Sequence, residues 1–441
     1  MKLNKSKKIR YMIVPILFIF LFSVFGNLQV QADSDPLNLK GKAAILIDGE
    51  TGKILYEKNA DELLGVASMS KMMTEYLVLE AIHEGRISWD QEVTINEYIH
   101  KLSAAPGLSN VGLTQGEKYT VQELYEAMAI HSGNAAAVAL AEVISGTETN
   151  FVKLMNEKAE ELGLGDYHFV NSTGLNNSSL LGNYPEGTDE NDENQMSARA
   201  TAKLAYRLIH DFPEVLQTAS KSELAFRDGR IYKNFNWMLP GLIYEYEGMD
   251  GLKTGSTDFA GYCFTATAER NGKRFISVIM NTASQKERFA ETEKLLNYAF
   301  STFTEEELFP GNMTIEGNET IPVVKGKKDS VKIATAQPIR LVIKNGEKEL
   351  HKPKFVIDEK KLNEEGELTA PVKKGDVIGY LTYTYDGQEL GFIDGTETIK
   401  VDVVATETVE KANGFVLMMR GIGEFFSNLW EGITKTIGSW F

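Results

Sequence analysis

Ser68 and Lys71, three positions apart, are a pair whose types and spacing could do chemistry. They stand at the start of an apolar run with helical periodicity, and residues three apart share one face of a helical turn. The lysine amine could take the proton of the serine hydroxyl, which is otherwise a weak nucleophile. A helix start also brings a positive dipole end near a developing oxyanion. The pair predicts a serine nucleophile with a lysine base, although the spacing alone is also common in capped helices.

Two further groups of residues suit the same chemistry. Ser132 and Asn134 flank a glycine between two helical patterns, where a hydroxyl and an amide can relay a proton and hold a carbonyl. Lys253, Thr254 and Gly255 lie on a predicted strand, and they offer a cation, a hydroxyl and a position without a side chain for a carboxylate ligand. Each group alone is weak evidence. Together, at a helix start, an interhelical loop and a strand, they predict a serine acyl-transfer site.

The elements that must position these groups are helices and strands in a mixed order. Helical periodicity and a capping box predict helices, and apolar runs around glycine-containing turns predict β-hairpins. The helices are predicted over 71–84, from Thr120 and Glu123 onward and over 285–301, and the hairpins over 43–56 and 262–280. Strands at both ends with helices between them predict one domain of mixed sheet and helix, residues 37–305.

The sequence changes character after Pro310. Short runs rich in Val and Ile alternate with Gly, Lys and Glu turns, which predicts a small all-β domain at 311–404. Residues 405–441 are predicted to be a linker followed by an amphipathic helix. The large aromatic residues of this helix are Phe415, Phe425, Phe426, Trp430, Trp440 and Phe441. Because the charges of this segment balance, we expect hydrophobic binding to a membrane surface, with packing on the protein itself as the alternative.

The N-terminus has the pattern of an export signal. Five basic residues and no acidic one precede an apolar stretch from Tyr11 to Phe25, and Val30 and Ala32 are small residues at the −3 and −1 positions of a cleavage site. The apolar stretch is short for a membrane span. We predict a signal peptide over 1–32, with an uncleaved anchor as the alternative, and export to the outer face of the cytoplasmic membrane.

Composition excludes several classes of function. The formal net charge of −16 argues against nucleic acid, because a phosphate backbone is held by clustered Lys and Arg. Cys263 is the single cysteine, which excludes an internal disulfide framework and a cysteine-rich zinc module. Six scattered histidines without a His-x-x-x-His pair argue against a histidine metal site. We expect no metal and no cofactor.

Three weaker patterns are assigned structural roles. Cys263 is expected to be a packed strand residue, and His131 a structural neighbour of Ser132. The spacing of Asp189, Asn191 and Glu193 resembles a calcium loop, but the glycine and terminal glutamate of such loops are missing. We interpret that acidic run as a solvated loop.

The three groups in this order resemble the motifs of penicillin-binding proteins and serine β-lactamases. Four further stretches are similar to serine D-alanyl-D-alanine carboxypeptidases of the penicillin-binding protein 5 type, with a Gram-positive, Bacillus-like character. They are Asn171-Ser172-Thr173-Gly174-Leu175, Met196-Ser197-Ala198-Arg199, Asn234-Phe235-Asn236-Trp237 and residues 248–257. The resemblance covers essentially the whole chain and departs at Ala135, where many relatives carry Asp. It implies the α/β (α+β) fold of serine β-lactamases and DD-peptidases, an antiparallel sheet flanked by helices, plus a small all-β domain and a C-terminal amphipathic helix.

The resemblance also implies a substrate and a mechanism. The substrate is the peptidoglycan stem pentapeptide ending in D-Ala-D-Ala, and β-lactam antibiotics are covalent inhibitors. Ser68 attacks the penultimate D-Ala carbonyl, Lys71 is the general base, and Ser132 passes the proton to the leaving D-alanine. Asn134 holds the acyl part, and water then hydrolyses the acyl-enzyme. A nearby Lys253 ammonium lowers the pKa of Lys71 by charge repulsion.

Substrate recognition by the third group follows from the same resemblance. Lys253 and Thr254, followed by Gly255, bind the terminal carboxylate. The backbone N–H groups of Ser68 and Ser256 form the oxyanion hole.

Three other functions stay open. A secreted β-lactamase of class A uses a Glu-x-x-x-Asn run to activate the deacylating water, and the one such run between the second and third groups is Glu190 to Asn194, in the acidic loop. A DD-endopeptidase would cut D-Ala cross-links with the same residues. A binding protein with an inactive site is disfavoured because all three groups are intact.

Overall fold

The computed structural model describes residues 35–420 together with residues 422, 423, 426, 430 and 434. The chain divides into a short unit that ends at Leu39 and a large unit that begins at Lys40. All elements named below belong to the large unit. The predicted signal peptide, 1–32, lies outside the described residues.

The strands and helices follow one another as the sequence patterns predict, with strands at both ends of the first part and a strand-rich second part. The strands are β1 (Ala43–Asp48), β2 (Ile54–Lys58), β3 (Leu64–Gly65), β4 (Glu92–Thr94), β5 (Lys118–Thr120), β6 (Tyr167–His168), β7 (Gln195–Met196), β8 (Glu223–Ala225), β9 (Ile231–Lys233), β10 (Met249–Thr257), β11 (Gly261–Arg270), β12 (Lys273–Thr282), β13 (Phe303–Phe309), β14 (Thr320–Val324), β15 (Ser330–Thr335), β16 (Ile339–Lys344), β17 (His351–Ile357), β18 (Leu368–Thr369), β19 (Val377–Tyr385) and β20 (Val401–Ala405). The α-helices are α1 (Lys71–His83), α2 (Glu97–Ser103), α3 (Val121–His131), α4 (Asn134–Ser145), α5 (Glu148–Glu161), α6 (Ala198–Asp211), α7 (Val215–Ala219) and α8 (Gln285–Thr302).

A five-stranded antiparallel sheet in the order β10-β11-β12-β1-β2 forms the centre of the first part. Successive side chains of a strand point to opposite faces. On β12, Ile276 and Val278 belong to the hydrophobic cluster shared with the helices α1 to α6, whereas Phe275 packs edge to face on Phe300 of α8. The sheet therefore lies between two helical layers, which confirms the predicted architecture.

The structure contains the turn and the capping box that the sequence predicts. The turn between β11 and β12 is Asn271 and Gly272, both with positive φ, as a two-residue hairpin with right-handed strand twist requires. At the start of α3, the backbone N–H of Thr120 donates to Glu123 Oε2 at 2.8 Å, and the N–H of Glu123 donates to Thr120 Oγ1 at 3.2 Å. These reciprocal bonds are the predicted capping box, and they fix where α3 begins.

Helix α1 runs through the interior of the helical layer. Residues 71–79 are all buried, and α1 packs against α3, α4, α5 and α6. A helix surrounded on all sides is apolar all round, which is why its residues include Met72, Met73, Leu77 and Val78. The polar side chains in the first part of α1, Lys71, Thr74 and Glu75, are consequently buried, and the site below depends on Lys71.

The second part is rich in strands, as predicted. A six-stranded sheet has the order β17-β19-β20-β15-β14-β18, and β13 pairs with β16. Strand β13 follows α8 directly and spans the interval between the two predicted domains. A loop of the second part also hydrogen-bonds to β2 and to the turn before it: Ile54 N–H donates to Gly391 O at 2.9 Å, and Ile393 N–H donates to Gly52 O at 2.8 Å.

The C-terminal segment begins as a helix at residues 414–420. Arg420 makes an ion pair with Asp329 at 2.7 Å and donates to Gly326 O at 2.9 Å, so this helix start is attached to the strand-rich part. Most apolar side chains described in the segment are exposed, with 68% for Phe415 and 69% for Trp430, whereas Leu417 is half-buried. Among the described residues, no helix combines the length and the apolar character that a membrane crossing requires.

Candidate active site

Ser68 and Lys71 come together at the junction of a short 3₁₀ turn, Ala67–Ser70, with α1. Lys71 Nζ lies 2.9 Å from Ser68 Oγ. The serine is partly accessible, whereas the lysine is completely buried. The predicted pairing of these two side chains on one helical turn is present in the structure.

The turn that presents Ser68 is strained and held from outside. Ala67 has a φ of 46°, in the left-handed region that alanine rarely adopts. Ser70 Oγ donates to Ala67 O at 2.7 Å. Gly174 packs against the same carbonyl, where a Cβ would lie only 1.9 Å from Ala67 O. The glycine therefore permits the close approach that keeps the turn in place.

Lys71 Nζ has two further acceptors besides Ser68. It lies 2.8 Å from Asn134 Oδ1 and 2.6 Å from the backbone oxygen of Thr173. The pKa of Lys71 is lowered well below its usual value, first by burial and then by the positive charge of Lys253. The amine is thus held in one orientation and loses its proton more readily than an exposed lysine.

Ser132 and Lys253 form a second serine–lysine pair. Ser132 follows α3 as its C-cap, with a left-handed φ of 57°, and its Oγ lies 2.9 Å from Lys253 Nζ. Lys253 comes from β10, and only 3% of it is exposed. Burial lowers its pKa, and Arg288 lowers it further, while Glu75 opposes both effects. The structure therefore unites the second and third predicted groups.

Asn134 is fixed by neighbours on both sides. It begins α4, and its Nδ2 donates to Ser109 O at 2.9 Å while its Oδ1 accepts from Lys71. The next residue, Ala135, donates its N–H to Asn110 Oδ1 at 2.8 Å. The amide oxygen thus orients the lysine, and one Nδ2 hydrogen remains for a further acceptor.

Strand β10 passes directly beside the serine turn. A Cβ on Gly255 would lie 2.5 Å from Val66 O and 3.1 Å from Ser68 N, so the approach requires glycine. Thr254 is buried and Ser256 is exposed. All eight predicted site residues consequently lie on the serine turn, the α3–α4 junction and β10, three segments that meet at the two serine–lysine pairs.

The structure adds groups that the sequence reasoning assigned no role. The loop 171–175 presents Thr173 O to Lys71, and Asn171 Oδ1 holds that loop by accepting the N–H groups of Thr173 and Gly174. Glu148 Oε1 accepts the N–H and the hydroxyl of Ser172 at 2.9 and 2.6 Å. Residues 171–175 are one of the stretches that carry the family resemblance, and that resemblance is the feature of the sequence that could have pointed to them.

Two other added groups are buried charges. Arg288 Nη1 donates to Gly255 O at 3.2 Å from behind β10. Glu75 lies on α1 and is 3% exposed. The sequence could have pointed to Glu75 as a charged residue in an otherwise apolar helix, four positions after Lys71.

The remaining candidates occupy structural positions. Cys263 is a packed strand residue, as predicted, and burial raises the pKa of its thiol to about 11. The ring of His131 stacks on Phe235 and its Nδ1 lies 2.8 Å from Lys233 O. In the acidic loop Glu190 is exposed.

Asn194, the asparagine of the Glu-x-x-x-Asn run, also has a structural role. The side chain of Asn194 is occupied by the backbone of residues 170 and 171, because its Oδ1 accepts both N–H groups and its Nδ2 donates to Asn171 O. It is fully buried.

Comparisons with known proteins agree over most of the chain. The family model described as D-alanyl-D-alanine carboxypeptidase matches residues 29–284, and the one described as penicillin-binding protein 5, C-terminal domain, matches residues 303–411. D-alanyl-D-alanine carboxypeptidase DacF of Bacillus subtilis (strain 168) is 34% identical over 410 residues, which is 93% of this chain and 96% of that protein.

Solved structures give the same result. The peptidoglycan synthesis regulatory factor PBP3 from Streptococcus pneumoniae has a TM-score of 0.70 and 36% identity, covering 84% of this chain and 100% of that one. Penicillin-binding protein 5 from Haemophilus influenzae has a TM-score of 0.67 and 30% identity, covering 85% and 98%. The chain is therefore a serine hydrolase that belongs to the D-alanyl-D-alanine carboxypeptidase family, of the penicillin-binding protein 5 type.

Proposed function

We propose that this protein removes the terminal D-alanine from peptidoglycan stem pentapeptides through an acyl-enzyme on Ser68. The observation that carries the proposal is the pair of serine–lysine contacts, Ser68 with Lys71 and Ser132 with Lys253, each at 2.9 Å. One pair can form the acyl-enzyme, and the other can serve the leaving group and its carboxylate.

Acylation depends on how hydrogen bonds orient the Lys71 amine. A neutral lysine amine has two N–H donors and one lone pair, whereas an ammonium has three donors. Asn134 Oδ1 and Thr173 O can accept the two N–H groups, which aims the lone pair at Ser68 Oγ. As the oxygen attacks the penultimate D-Ala carbonyl, its proton moves to Lys71 Nζ.

Collapse of the tetrahedral intermediate breaks the peptide bond to the last residue. The leaving D-alanine nitrogen takes a proton from the Ser132 hydroxyl, which hydrogen-bonds to Lys253. The proton that Lys71 took from Ser68 then replaces the one lost by Ser132, so that both side chains return to their starting forms. The backbone N–H groups of Ser68 and Ser256 stabilise the oxyanion. Water then hydrolyses the ester, with the proton moving in the reverse direction through the same groups.

The terminal carboxylate of the substrate is proposed to bind Lys253 and Thr254. Lys253 is buried and would bind the carboxylate as an ammonium, and Arg288 adds positive charge behind Gly255. A buried cation binds a carboxylate more strongly than an exposed one does, because water competes less. The site therefore favours peptides that end in a free carboxylate.

Lys253→Ala is expected to weaken hydrolysis of a peptide ending in D-Ala-D-Ala about 10- to 100-fold more than hydrolysis of its C-terminal amide, since a hydrogen bond to a charged group contributes about 1.5–3 kcal/mol. Both substrates lose the contact of Lys253 with Ser132, so the ratio isolates the carboxylate. The measurement is kcat/KM for the two peptides, with the exposed Lys101→Ala as the control. Equal losses of kcat/KM for both peptides would show that Lys253 does not bind the terminal carboxylate.

β-Lactams are proposed to acylate Ser68 as well. A relative, penicillin-binding protein D2 from Listeria monocytogenes, is 35% identical, covers 60% of this chain and was solved in an ampicillin-bound form, with a TM-score of 0.52. Mass spectrometry after incubation with penicillin, and separately with a D-Ala-D-Ala peptide, tests both reactions. A persistent penicillin adduct on Ser68 with release of one D-alanine supports the carboxypeptidase. Rapid loss of the adduct would favour a β-lactamase, and cleavage of cross-linked dimers alone would favour an endopeptidase.

The protein is further proposed to act at the outer face of the cytoplasmic membrane, held by its C-terminal helix. The support is the exposed apolar side chains of the described part of this segment, which include Phe415, Met418, Phe426 and Trp430. Burying such side chains in the lipid interface is favourable, because their apolar surface leaves water. The exported location rests on the predicted signal peptide, 1–32.

Deletion of 413–441 is expected to move most of the enzyme from the membrane fraction to the soluble fraction, while kcat/KM on a soluble peptide stays unchanged. Detergent should release the full-length protein and high salt should not, because the proposed contact is hydrophobic. Arg420→Ala is the control, since it removes the Asp329 ion pair but leaves the apolar side chains. Retention of the truncated protein, or release of the intact one by salt alone, would refute the anchor.

A further inference from the structure

Glu193 is a buried glutamate of the acidic loop, and the mechanism above gives it no role. It departs from the solvated loop that the sequence predicts, because only 6% of it is exposed, whereas Glu190 in the same loop is exposed. Its Oε2 accepts the hydroxyl of Thr257 at 2.7 Å. Burying a carboxylate is costly without a hydrogen-bond partner, so the Thr257 hydroxyl determines where this side chain lies.

Thr257 connects this glutamate to the oxyanion hole proposed above. It is the last residue of β10 and follows Ser256 directly. Its hydroxyl oxygen also accepts the N–H of Ala260 at 3.0 Å, so one hydroxyl joins the carboxylate of Glu193 to the turn between β10 and β11. Fixing this side chain therefore fixes the end of the strand that carries the Ser256 N–H.

The residues that follow Glu193 hold the other half of the oxyanion hole. Asn194 O accepts the N–H of Val66 at 3.2 Å, and Val66 stands two positions before Ser68. The next two residues form β7, which pairs with β3 shortly before the serine turn. The segment 193–196 is therefore bound to β10 on one side and to the chain that enters the serine turn on the other.

The two halves of the oxyanion hole are themselves in close contact. A Cβ on Gly255 would lie 2.5 Å from Val66 O and 3.1 Å from Ser68 N, so β10 touches the serine turn at the residue before Ser256. The spacing of the Ser68 and Ser256 N–H groups consequently depends on how β10 lies against that turn. Segment 193–196 contacts both partners, and it can therefore set this spacing.

We propose that Glu193 is a positioning residue that sets the geometry of the oxyanion hole through Thr257. This inference rests on the proposed function, because it needs an acyl transfer in which the N–H groups of Ser68 and Ser256 stabilise an oxyanion. Such donors are effective only where they point at the atom on which negative charge develops. Loss of the contact between Glu193 and Thr257 should therefore slow acylation without changing recognition of the terminal carboxylate.

The experiment compares two substrates of the full chain that differ in one atom. One is an ester analogue of the D-Ala-D-Ala peptide, and the other is the same ester with C=S in place of the scissile C=O. Sulfur is a weaker hydrogen-bond acceptor than oxygen, so the thionoester depends less on the N–H donors. The ratio of kcat/KM for the ester to kcat/KM for the thionoester therefore reports the oxyanion hole, whereas a general loss of active protein lowers both values equally.

The variants remove or retain each partner of the hydrogen bond. We expect Thr257→Val and Glu193→Ala each to lower kcat/KM for the ester about tenfold, a part of the 10²–10³-fold that a lost donor costs, and to lower the ester-to-thionoester ratio with it. Thr257→Ser, which keeps the hydroxyl, and Glu193→Gln, which keeps an acceptor oxygen, should stay near wild type. The exposed Glu190→Ala is the matched control from the same loop.

Two further measurements test whether the side chains act as one unit and only on the oxyanion hole. The double variant of Glu193→Ala and Thr257→Val should be no slower than the slower single variant, because both substitutions remove the same contact. The preference for a peptide with a free carboxylate over its C-terminal amide should keep its wild-type value in every variant, because Lys253 and Thr254 are unchanged.

The outcomes separate this inference from the proposed function. An unchanged ester-to-thionoester ratio in Thr257→Val and Glu193→Ala, or additive losses in the double variant, overturns the role of Glu193 while acylation of Ser68 stands. Absence of a Ser68 adduct in the wild type after incubation with penicillin overturns the proposed function instead. If Glu193→Ala fails to fold, Thr257→Val breaks the same contact, and the lowered ratio is required of it.

Discussion

Alanine in place of Ser68 is expected to abolish both D-alanine release and the penicillin adduct, with a loss on the order of 10⁴-fold or more, as for other catalytic nucleophiles. The side chain is partly accessible and its hydroxyl contacts Lys71, so the substitution removes an attacking oxygen without removing a packing group. Adduct mass and a D-alanine release assay measure the two losses. Unchanged thermal unfolding would show that the fold is retained.

The neighbouring serine is the matched control for this experiment. Ser70 is fully buried, and its hydroxyl donates to Ala67 O at 2.7 Å. Ser70→Ala should cost about 1 kcal/mol of unfolding free energy and retain a penicillin adduct at Ser68. An adduct mapped to Ser70 in the wild type, or a Ser68→Ala protein that still forms one, would contradict the assignment.

Lys71→Met is expected to slow acylation by about 10²–10⁴-fold, the usual contribution of a general base. Methionine has a similar length but cannot accept the Ser68 proton. In the wild type, burial and Lys253 lower the pKa of Lys71, so its amine is neutral at pH values where an ordinary lysine is protonated. The acylation rate should therefore fall as the pH drops below this lowered pKa, and the variant should lack that limb.

The same variant is expected to lose stability for a separate reason. Asn134 Oδ1 and Thr173 O both accept from Lys71 Nζ in the interior. Without a donor each oxygen costs about 1–3 kcal/mol, measured by denaturant unfolding. Lys101→Met, at an exposed helical lysine, is the control for both measurements. Acylation at the wild-type rate and pH dependence in Lys71→Met would exclude Lys71 as the base.

Short-range patterns in the sequence predicted several of the elements and supplied the residue groups of the proposed site. The spacing of Ser68 and Lys71 and the capping box of Thr120 and Glu123 are features of one helical turn, and the structure contains both. The turn at Asn271 follows from the same kind of local rule. Such patterns are readable because they depend on bonds between residues a few positions apart.

Family resemblance extended the prediction to groups that are distant in the chain. Ser132 and Lys253 were assigned to one site because three motifs occurred in the order typical of the family, and the structure places their side chains 2.9 Å apart. No local rule gives that contact, since it forms only when β10 packs beside the α3–α4 junction. The comparisons with known proteins then established the family.

The tertiary structure alone decided how the site is tuned. Thr173 contributes a backbone oxygen, and the type of a residue does not predict the contacts of its backbone. This oxygen reaches Lys71 because Glu148 and Asn171 hold the loop. The lowered pKa of Lys71 depends first on burial. Burial is a property of the assembled layers around α1, because water is excluded only when helices and sheet enclose the same side chains. The sequence by itself thus determined which residues meet and what reaction they suit, and the fold determined their protonation and orientation.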